Sequence, residues 1–292
     1  MAWSNPWQAE GHWYKGNLHA HSKASDGAFA PAEVIERYRS SGYQFLSITD
    51  HRKFTNVSGF ADDGFAVING IEIDIGRNEL GESFHIVGVG ITGEVAVEPS
   101  DGPTGAVAAI KEKGGDVILA HPYWSGHTVG DLMKFDNVLG VEIYNQTCQS
   151  PAKGVSAVHW DDLLVRGKRW FGFACDDSHG EHDFAGGWIV VRAKSLTPPA
   201  IIQSLRAGHF YASQGPRIVN IEFERGVVNI HCSPVAQVNF ICNTWRGRMV
   251  RAEPRKTISQ ASFQVPEGIT YVRVECIEAG GKAAWSNPIF LT

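Results

Sequence analysis

The chain has 292 residues, of which 43% are hydrophobic and 20% charged, and its formal net charge is -5. This is the composition of an ordinary globular protein, and the length allows one large domain or two smaller ones. The net charge argues against a general electrostatic footprint for nucleic acid or anionic membranes, so neither is expected as a stable partner. No apolar run reaches the roughly 20 residues that a membrane-spanning helix needs.

The first residues and the cysteines favour a cytoplasmic location. The opening segment, MAWSNPWQAEGHWYKG, has neither the basic region nor the apolar stretch of a secretory signal peptide. The five cysteines are scattered and form no C-x-x-C pair. This pattern is typical of reduced thiols rather than of a disulfide framework or a thiolate zinc site. Any metal would therefore be bound by histidine and carboxylate.

Residues 13–212 alternate short apolar strands with amphipathic helices. The strand-like runs are WYKGNLHAH, YQFLSITDH, FAVINGIEI, FHIVGVG, DVILAHP, GVEIYN, RWFGFACDD and GWIVVRA. Helices are predicted over residues 31–41, 103–113, 155–166 and 198–207, three of which begin at a proline and all of which are followed by a glycine. Repeated strand and helix alternation predicts a parallel sheet, and this number of units predicts a barrel.

The pattern changes after Gly215 and Pro216. Five runs there alternate apolar and polar residues with no helix signal: IVNIEFE, VVNIHCS, QVNFICN, ASFQVP and TYVRVECIE. Short strands separated by Gly, Pro and Asn turns are typical of a β-sandwich. We therefore expect an α/β barrel domain over residues 1–213 and a small all-β, sandwich-like domain over residues 214–292.

Nine imidazole and carboxylate side chains fall at or near the ends of the predicted strands. The carboxyl ends of barrel strands meet at one mouth, so these side chains are expected to point into one cavity. Each residue alone is a weak signal, because isolated histidines and turn aspartates are common on protein surfaces. The joint pattern predicts a metal centre made of His19, His21, Asp26, His51, Glu72, His85, His121, Asp177 and His179.

The donor types indicate the metals and the chemistry. Imidazole with carboxylate suits Zn, Mn or Fe, and nine ligands exceed what one tetrahedral ion uses, so two or three divalent ions are expected. Adjacent ions can share a bridging hydroxide, lower its pKa and polarise the bond under attack, which is hydrolytic chemistry. The segment GVGITG matches a dinucleotide-binding pattern, but EVAVEP follows where a helix should begin, so no nucleotide cofactor is expected.

The ordered set H-x-H-x-x-x-x-D-G, T-D-H, G-I-E, H-I-x-G-x-G, A-H-P and D-x-H resembles the polymerase and histidinol phosphatase (PHP) superfamily of metal hydrolases. That resemblance covers residues 13–179 and implies a distorted seven-stranded (β/α) barrel. The segments WYKGNLHAHS, AHPYWSG, EIYN, FGFACDDSH, GWIVVRA, LRAGHFYAS and AWSNPIFL resemble the carbaryl-hydrolase-like (CehA/McbA) branch of the superfamily.

The resemblance also implies how the ligands divide among the ions. One ion would take His19, His21, Glu72 and Asp177. A second would share Glu72 and add His85 and His121. A third would take Asp26, His51 and His179. Asp26 stands where some relatives carry histidine, so the third site is expected to be the weakest of the three.

Residues next to these motifs are candidates for holding an anionic substrate or protonating the leaving group. They are Lys15, Arg52, Tyr123, Asn145 and His182. Among them, Arg52 and His182 are predicted as catalytic residues beside Glu72 and Asp177. A solvated surface role is the alternative for each of the five.

The sequence favours a metal-dependent phosphoesterase that acts on a small phosphorylated substrate. A carboxyl-ester or carbamate hydrolase is the main alternative, because a bridging hydroxide attacks a carbonyl by similar logic. A degenerate barrel that serves as a binding module is the non-enzymatic alternative, although such barrels usually lack several of the ligands. The physiological substrate, the native metal and the oligomeric state stay open.

Overall fold

The computed structural model describes residues 3–291, so the outermost residues of both predicted domains, 1–2 and 292, lie outside it. The described part contains 17 strands and five α-helices. The strands are β1 His12–Asn17, β2 Phe45–Ile48, β3 Ala66–Ile75, β4 Phe84–Val89, β5 Asp116–Leu119, β6 Gly140–Asn145, β7 Phe171–Cys175, β8 Trp188–Ala193, β9 Phe210–Ser213, β10 Ile218–Glu224, β11 Val227–Val235, β12 Gln237–Cys242, β13 Arg248–Arg251, β14 Ile258–Gln264, β15 Tyr271–Ile277, β16 Ala283–Ser286 and β17 Ile289–Phe290. The helices are α1 Pro31–Ser40, α2 Gly102–Glu112, α3 Val129–Leu132, α4 Ala157–Val165 and α5 Pro198–Arg206.

The four predicted helices correspond to α1, α2, α4 and α5, and α1 shows why the pattern was informative. Pro31 occupies its first turn, and Val34, Ile35 and Tyr38 form its buried face. The helix ends before Gly42, whose φ of 76° is easily adopted only by a residue without a Cβ. Helix α3 has only four residues, which is too short to leave a periodic signal in the sequence.

Fourteen strands form one mixed sheet. Its order is β13-β12-β15-β16-β9-β8-β1-β2-β3-β4-β5-β6-β7, with β17 paired to β15. The pairs β1–β2, β2–β3, β5–β6 and β6–β7 are parallel. Strand β4 is antiparallel to both β3 and β5. The expected all-parallel arrangement is therefore wrong at β4, because the short loop from β3 to β4 carries no crossover helix and a parallel connection needs one.

The strand ladders of residues 3–291 do not close into a barrel. Strands β1 and β7 are not ladder neighbours, since β1 pairs with β2 and β8 while β7 lies at the edge of the sheet. The chain just beyond these two strands is joined by an isolated parallel bridge between Ala20 and Ser178. The fold is thus a mixed α/β sheet in which the segments after β1 and β7 are joined by this bridge. The ladders do not form the expected closed seven-stranded barrel.

The largest buried core cluster lies between this sheet and the helices. It includes Ile68, Ile86, Ile118 and Phe173 from the strands, together with Ile110 of α2. Trp160 of α4 is also completely buried there, and its indole N–H donates to the carbonyl of Trp170 at 2.9 Å. Burial of an aromatic side chain of this size contributes a few kcal/mol, so these helices clamp the sheet that carries the strand ends.

The region after residue 214 contains strands but none of the five helices, as predicted. Strands β10, β11 and β14 form a separate three-stranded sheet, whereas β12, β13, β15, β16 and β17 belong to the large sheet. A second buried cluster joins Ile221 and Val228 of the small sheet to Val238, Phe240 and Val274 of the large one. Because β16 pairs with β9, the large sheet is continuous across the expected domain boundary at residue 213. The division into two domains stays a prediction.

Among the helices of residues 3–291, none combines the length and the apolar character needed to cross a membrane.

Candidate metal centre

The fold brings the predicted ligands to one end of the sheet. His19 and His21 follow β1, His51 follows β2, and Glu72 lies within β3. His121 follows β5, and Asp177 and His179 follow β7. His85 is the second residue of β4, and it reaches the same end because β4 runs opposite to its neighbours. Asp26 lies in the loop between β1 and α1. All nine predicted ligands therefore lie at this end.

Four of these side chains form a compact buried group. The Nε2 atoms of His19 and His21 lie 3.1 Å apart. Each lies 3.0 Å from Oε2 of Glu72 and 3.1 Å from Oδ1 of Asp177. Edges of about 3 Å match those expected around a cation that is about 2 Å from each ligand atom.

The hydrogen bonding of this group leaves one buried carboxylate oxygen without a donor. Oδ1 of Asp177 is buried and accepts no hydrogen bond, although two imidazole nitrogens lie 3.1 Å from it. Nδ1 of His19 lies 2.6 Å from Oε1 of Glu142. Oε2 of Glu142 accepts from the backbone N–H of His121 and from the side-chain amide of Asn145, so Glu142 is an acceptor and His19 donates. A neutral His19 then points a lone pair at two carboxylates, an arrangement that a metal ion satisfies.

The electrostatics of the metal-free group show how strongly it attracts positive charge. Burial lowers the pKa of His21, but the nearby carboxylates of Asp177 and Glu72 outweigh it and raise the pKa to about 9. The pKa of His19 is likewise raised well above its usual value by Asp177, Glu72 and Glu142, against the effect of burial. Although burial alone would raise the pKa of Glu72, the charge on His19 keeps it well below its usual value. Protons here take the place that a divalent cation would fill.

Two further groups of potential ligands flank the buried one. His51, Glu72 and His85 form one, and His21, Asp26, His51 and His179 form the other, with all ligand atoms in each group within 4.8 Å of one another. The expected second-ion set differs from this, because His51 takes part in the compact triplet. His121 lies slightly farther away, with its Nε2 3.7 Å from Oε1 of Glu72 and 3.8 Å from Oδ2 of Asp177.

The two carboxylate oxygens of Glu72 face different groups of potential ligands. Its Oε2 faces His19 and His21 at 3.0 Å, whereas its Oε1 lies 2.8 Å from Nδ1 of His85. Asp177 is divided in the same way, with Oδ1 in the buried group and Oδ2 accepting from the amide of Asn145 at 3.1 Å. The backbone at Asp177 is left-handed, with φ of 55°. Such a conformation costs about 1–2 kcal/mol outside glycine and is commonly retained where it aims a functional side chain.

The candidates for substrate binding are not all in the cavity. Nε of Arg52 lies 2.8 Å from Oδ1 of Asp74, so its guanidinium is already paired. His182 is exposed in the loop after His179 and is not among the described residues that line the cavity. The amine of Lys15 lies over the rings of Tyr43 and Trp188, at 3.9 and 4.1 Å.

Two buried residues of β6, Glu142 and Asn145, contact the predicted ligands, and Glu142 was not among the residues predicted from the sequence. Their contacts with the ligands are the hydrogen bonds given above. Asn145, a candidate for holding an anionic substrate or protonating the leaving group, donates to Glu142 and Asp177. The available signal was the charge in GVEIYN, a strand buried along its whole length, since an ionised side chain there needs a specific partner.

The cavity beside these groups has a volume of about 340 Å³. Ten residues line it: Asp26, His51, Glu72, His85, His121, Trp124, Thr147, Cys148, Asp177 and His179. Among the potential ligands that line it, Glu72, His121 and Asp177 are buried, whereas Asp26, His51, His85 and His179 are at least partly exposed. A small molecule entering the cavity would meet the potential ligands of all three groups.

No protein-family model matches the chain. The structure shares its fold with a two-domain protein from Bacteroides vulgatus that contains a predicted PHP-like metal-dependent phosphoesterase. The TM-score is 0.53 at 16% identity, covering 95% of this chain and 93% of the other. This likeness covers nearly the whole described fold, including the β-rich region, and at this identity it concerns the fold alone.

Two curated relatives match a shorter segment. A 3',5'-nucleoside bisphosphate phosphatase from Chromobacterium violaceum is 37% identical over 81 residues, covering 26% of this chain and 27% of that protein. A 5'-3' exoribonuclease from Haemophilus influenzae is 34% identical over 79 residues, covering 26% of this chain and 28% of that protein. The chain thus spans little more than a quarter of the length of these relatives.

Proposed function

We propose that this chain is a metal-dependent phosphoesterase of the PHP superfamily that hydrolyses a small phosphate mono- or diester. The observation that carries the proposal is the buried group of His19, His21, Glu72 and Asp177. Four ligand atoms converge at about 3 Å, and one of them is a buried carboxylate oxygen without a hydrogen bond. A histidine and carboxylate site in a cavity open to small molecules is typical of metal-assisted hydrolysis.

The residues divide among two or three divalent ions, with Zn, Mn or Fe as the metals that suit these donors. His19, His21, Glu72 and Asp177 would hold the buried ion. His85 would hold a second ion through the shared Glu72, with His51 or His121 completing its coordination. Asp26, His51 and His179 would hold the third. The side chain of Asp26 is 53% exposed, which supports a weaker third site.

The chain's own residues have distinct tasks in this proposal. When bound, the metals would lower the pKa of a coordinated water and neutralise charge on the phosphoryl oxygens. Glu142 holds the Nδ1 proton of His19, so that the Nε2 lone pair faces the centre. Asn145 restrains Asp177 through Oδ2 and leaves Oδ1 free to bind a cation. Glu72 and Asp177 would hold the metals, and through them the coordinated water and the phosphoryl group.

The relatives support a phosphoester substrate. One is named as a phosphatase and the other as an exoribonuclease, and both names describe cleavage of phosphate ester bonds. The carbaryl-hydrolase-like branch and a cytoplasmic location remain parts of the proposal that rest on the sequence alone.

Turnover of three chromogenic esters tests the proposal. Protein purified without chelator and supplied with Zn, Mn or Fe should hydrolyse p-nitrophenyl phosphate or bis(p-nitrophenyl) phosphate faster than an aryl carbamate. A chelator should remove the activity, and the same metal should restore it. Turnover of the carbamate alone would replace the phosphoesterase with a carbamate hydrolase. Protein that cannot be loaded with metal and turns over none of the three would indicate a binding module.

A further inference from the structure

Trp124 is a large aromatic side chain left partly open inside the cavity. It is 44% exposed, and it lines the cavity beside two of the potential ligands. The centre of its ring lies 5.0 Å from that of His121 and 5.9 Å from that of His85, with the planes nearly perpendicular in both pairs. An aromatic side chain in the wall of a cavity offers apolar surface on which a flat ligand can pack.

The turn that carries Trp124 is held firmly. The backbone N–H of Ser125 donates to the carbonyl of His121, and that of His127 donates to Pro122. Oγ of Ser125 also lies 3.0 Å from Nδ1 of His121. The indole is therefore positioned by the same turn that positions a potential metal ligand, as a rigid binding wall requires.

The other lining residues that are not potential ligands are small and uncharged. Thr147 donates its hydroxyl to the carbonyl of Asp177 at 2.7 Å, so the hydroxyl is already used. Cys148 is a buried thiol whose pKa is raised, chiefly by burial and then by Asp177, so it stays neutral. Together with Trp124 these residues provide uncharged surface in a cavity that otherwise consists of imidazoles and carboxylates.

None of the ten lining residues is a lysine or an arginine. The nearby cations have other partners, since Arg52 pairs with Asp74 and Lys15 lies over aromatic rings. The amine of Lys153 lies 5.1 Å from the ring centre of Tyr123, and neither residue lines the cavity. Bound metal could hold one phosphate group of a substrate. A substrate with two phosphates would find no lysine or arginine among the described lining residues for the second one.

We infer that Trp124 is the wall against which a planar aromatic leaving group packs, and that the substrate is a single-phosphate ester of an aromatic alcohol. This rests on the proposed phosphoesterase function and names its substrate class. In the reaction, the oxygen of water joins phosphorus and the bond between phosphorus and the aryl oxygen breaks. The products are phosphate and the aromatic alcohol, which takes up the proton or leaves as an anion with the proton released to solvent.

Substitution of Trp124 with matched substrates tests the inference. In metal-loaded enzyme, Trp124→Ala should raise KM for phenyl and 1-naphthyl phosphate by roughly three- to tenfold, the range of one aromatic contact. Glycerol 2-phosphate should be affected by less than about twofold, since it has no ring to stack. Because aryl esters are intrinsically more reactive, the measure is the ratio of variant to wild type for each substrate. Trp124→Phe should recover most of the loss.

A control variant and a binding experiment distinguish failure of the aromatic wall from failure of the proposed phosphoesterase function. Trp245 is 86% exposed in the β12–β13 loop and does not line the cavity, so Trp245→Ala should change neither substrate. Calorimetry should show phenylphosphonate binding more tightly than methylphosphonate to the metal-loaded wild type, with the difference lost in Trp124→Ala. Equal effects of Trp124→Ala on aryl and alkyl compounds would overturn the aromatic wall. A wild type that hydrolyses no phosphate ester would overturn the proposed function, and the phosphonate comparison would still decide whether the wall exists.

Discussion

Oε1 of Glu142 lies 2.6 Å from Nδ1 of His19, and this contact determines which nitrogen of His19 faces the candidate metal centre. Both residues are buried, and the second oxygen of Glu142 holds the backbone of His121 and the amide of Asn145. One carboxylate therefore positions two potential ligands directly and a third, Asp177, through Asn145.

Glu142→Gln tests this positioning role. The neutral amide accepts the Nδ1–H hydrogen bond more weakly than a carboxylate does, so His19 should be held less firmly and lose some of its basicity. We expect metal affinity to fall by roughly 10- to 100-fold, the usual cost of losing a partner that orients a ligand. Competition with a chromogenic chelator measures this affinity. Glu275→Gln, which alters another largely buried carboxylate at a distant strand, is the control and should leave affinity unchanged. Equal affinity in Glu142→Gln and wild type would show that Glu142 has only a structural role.

The buried group should be indispensable for turnover. His21→Ala and Asp177→Ala each remove an atom that converges on the proposed buried ion, and bound metal supplies several kcal/mol of transition-state stabilisation. We expect kcat/KM to fall by at least about a thousandfold in both variants, with no recovery at high substrate concentration. Circular dichroism would establish that the variants are folded. Substantial activity in either folded variant would contradict the proposed ion.

Asp26→Ala should be milder. Its Oδ2 lies 3.4 Å from Nε2 of His179 and 3.7 Å from Nε2 of His51, and its side chain is more exposed than those of the buried group. We expect a partial loss of activity that added metal restores, because a weakened site is refilled by mass action. Metal titration of activity provides the measurement. Asp162→Ala, on the exposed face of α4, is the control for removing a surface carboxylate. A complete loss of activity that added metal does not restore would show that Asp26 is as essential as Asp177, which would contradict a weak third site.

Metal binding should release protons near neutral pH. In the metal-free protein the pKa of His21 is raised to about 9, so its ring is protonated at pH 7, and the pKa of His19 is also raised well above its usual value. A ligand nitrogen must be deprotonated, so binding of the buried ion should release protons and affinity should rise with pH until about pH 9. Calorimetry in buffers of different ionisation enthalpy counts these protons. Affinity that is independent of pH between 6 and 8 would contradict the assignment.

The same shifts predict how pH affects the metal-free fold. A folded-state pKa of about 9 for His21, against an ordinary value of 6.5, stabilises the fold below pH 6.5. That contribution should be lost as the pH rises through 9. Thermal unfolding of chelated protein should therefore show a falling Tm from pH 6.5 to 9, and His21→Ala should reduce this dependence. An unchanged slope in the variant would assign the dependence to other groups.

A buried arginine connects the β-rich region to α4. Arg273 is 1% exposed, and its guanidinium bonds to both Asp161 of α4 and Glu275 of β15. Removing one partner of a buried ion pair leaves uncompensated charge, so Arg273→Ala should lower the free energy of unfolding by about 3 kcal/mol or more. Chemical denaturation measures the change. Lys194→Ala breaks a solvent-exposed pair with Glu10 and should lower the free energy of unfolding far less than Arg273→Ala. Similar small effects in both variants would contradict a stabilising role for the buried ion pairs of Arg273.

Sequence patterns located most of this architecture because strands and helices leave local signals. The buried stripe of Val34, Ile35 and Tyr38 between Pro31 and Gly42 is sufficient to predict α1. The direction of β4 left no such signal, because direction depends on the length of a connection and on which strand lies alongside. The four-residue strands β9, β13 and β16 were missed, whereas the equally short β2 and β5 were predicted because they lie in longer apolar runs.

The candidate site was predictable to the extent that its residues stand at strand ends. Both the spacing of His19 and His21 and the position of Asp177 just beyond β7 place side chains at one end of a sheet. Glu142 lies inside a strand and Asn145 at its last residue, so their contacts with the ligands emerge only when β6 is packed beside its neighbours. The grouping of His51 with Glu72 and His85 also depends on three-dimensional distances, which spacing along the chain does not encode.

Anomalous X-ray scattering from crystals of metal-loaded protein tests the central claim most directly. Data collected on both sides of the absorption edge of the added metal would locate and identify each ion. We predict a strong peak about 2 Å from Nε2 of His19, Nε2 of His21, Oε2 of Glu72 and Oδ1 of Asp177, with a second peak on the other side of Glu72. A map without a peak at the buried group, from protein shown to be folded and exposed to excess metal, would contradict the metal centre.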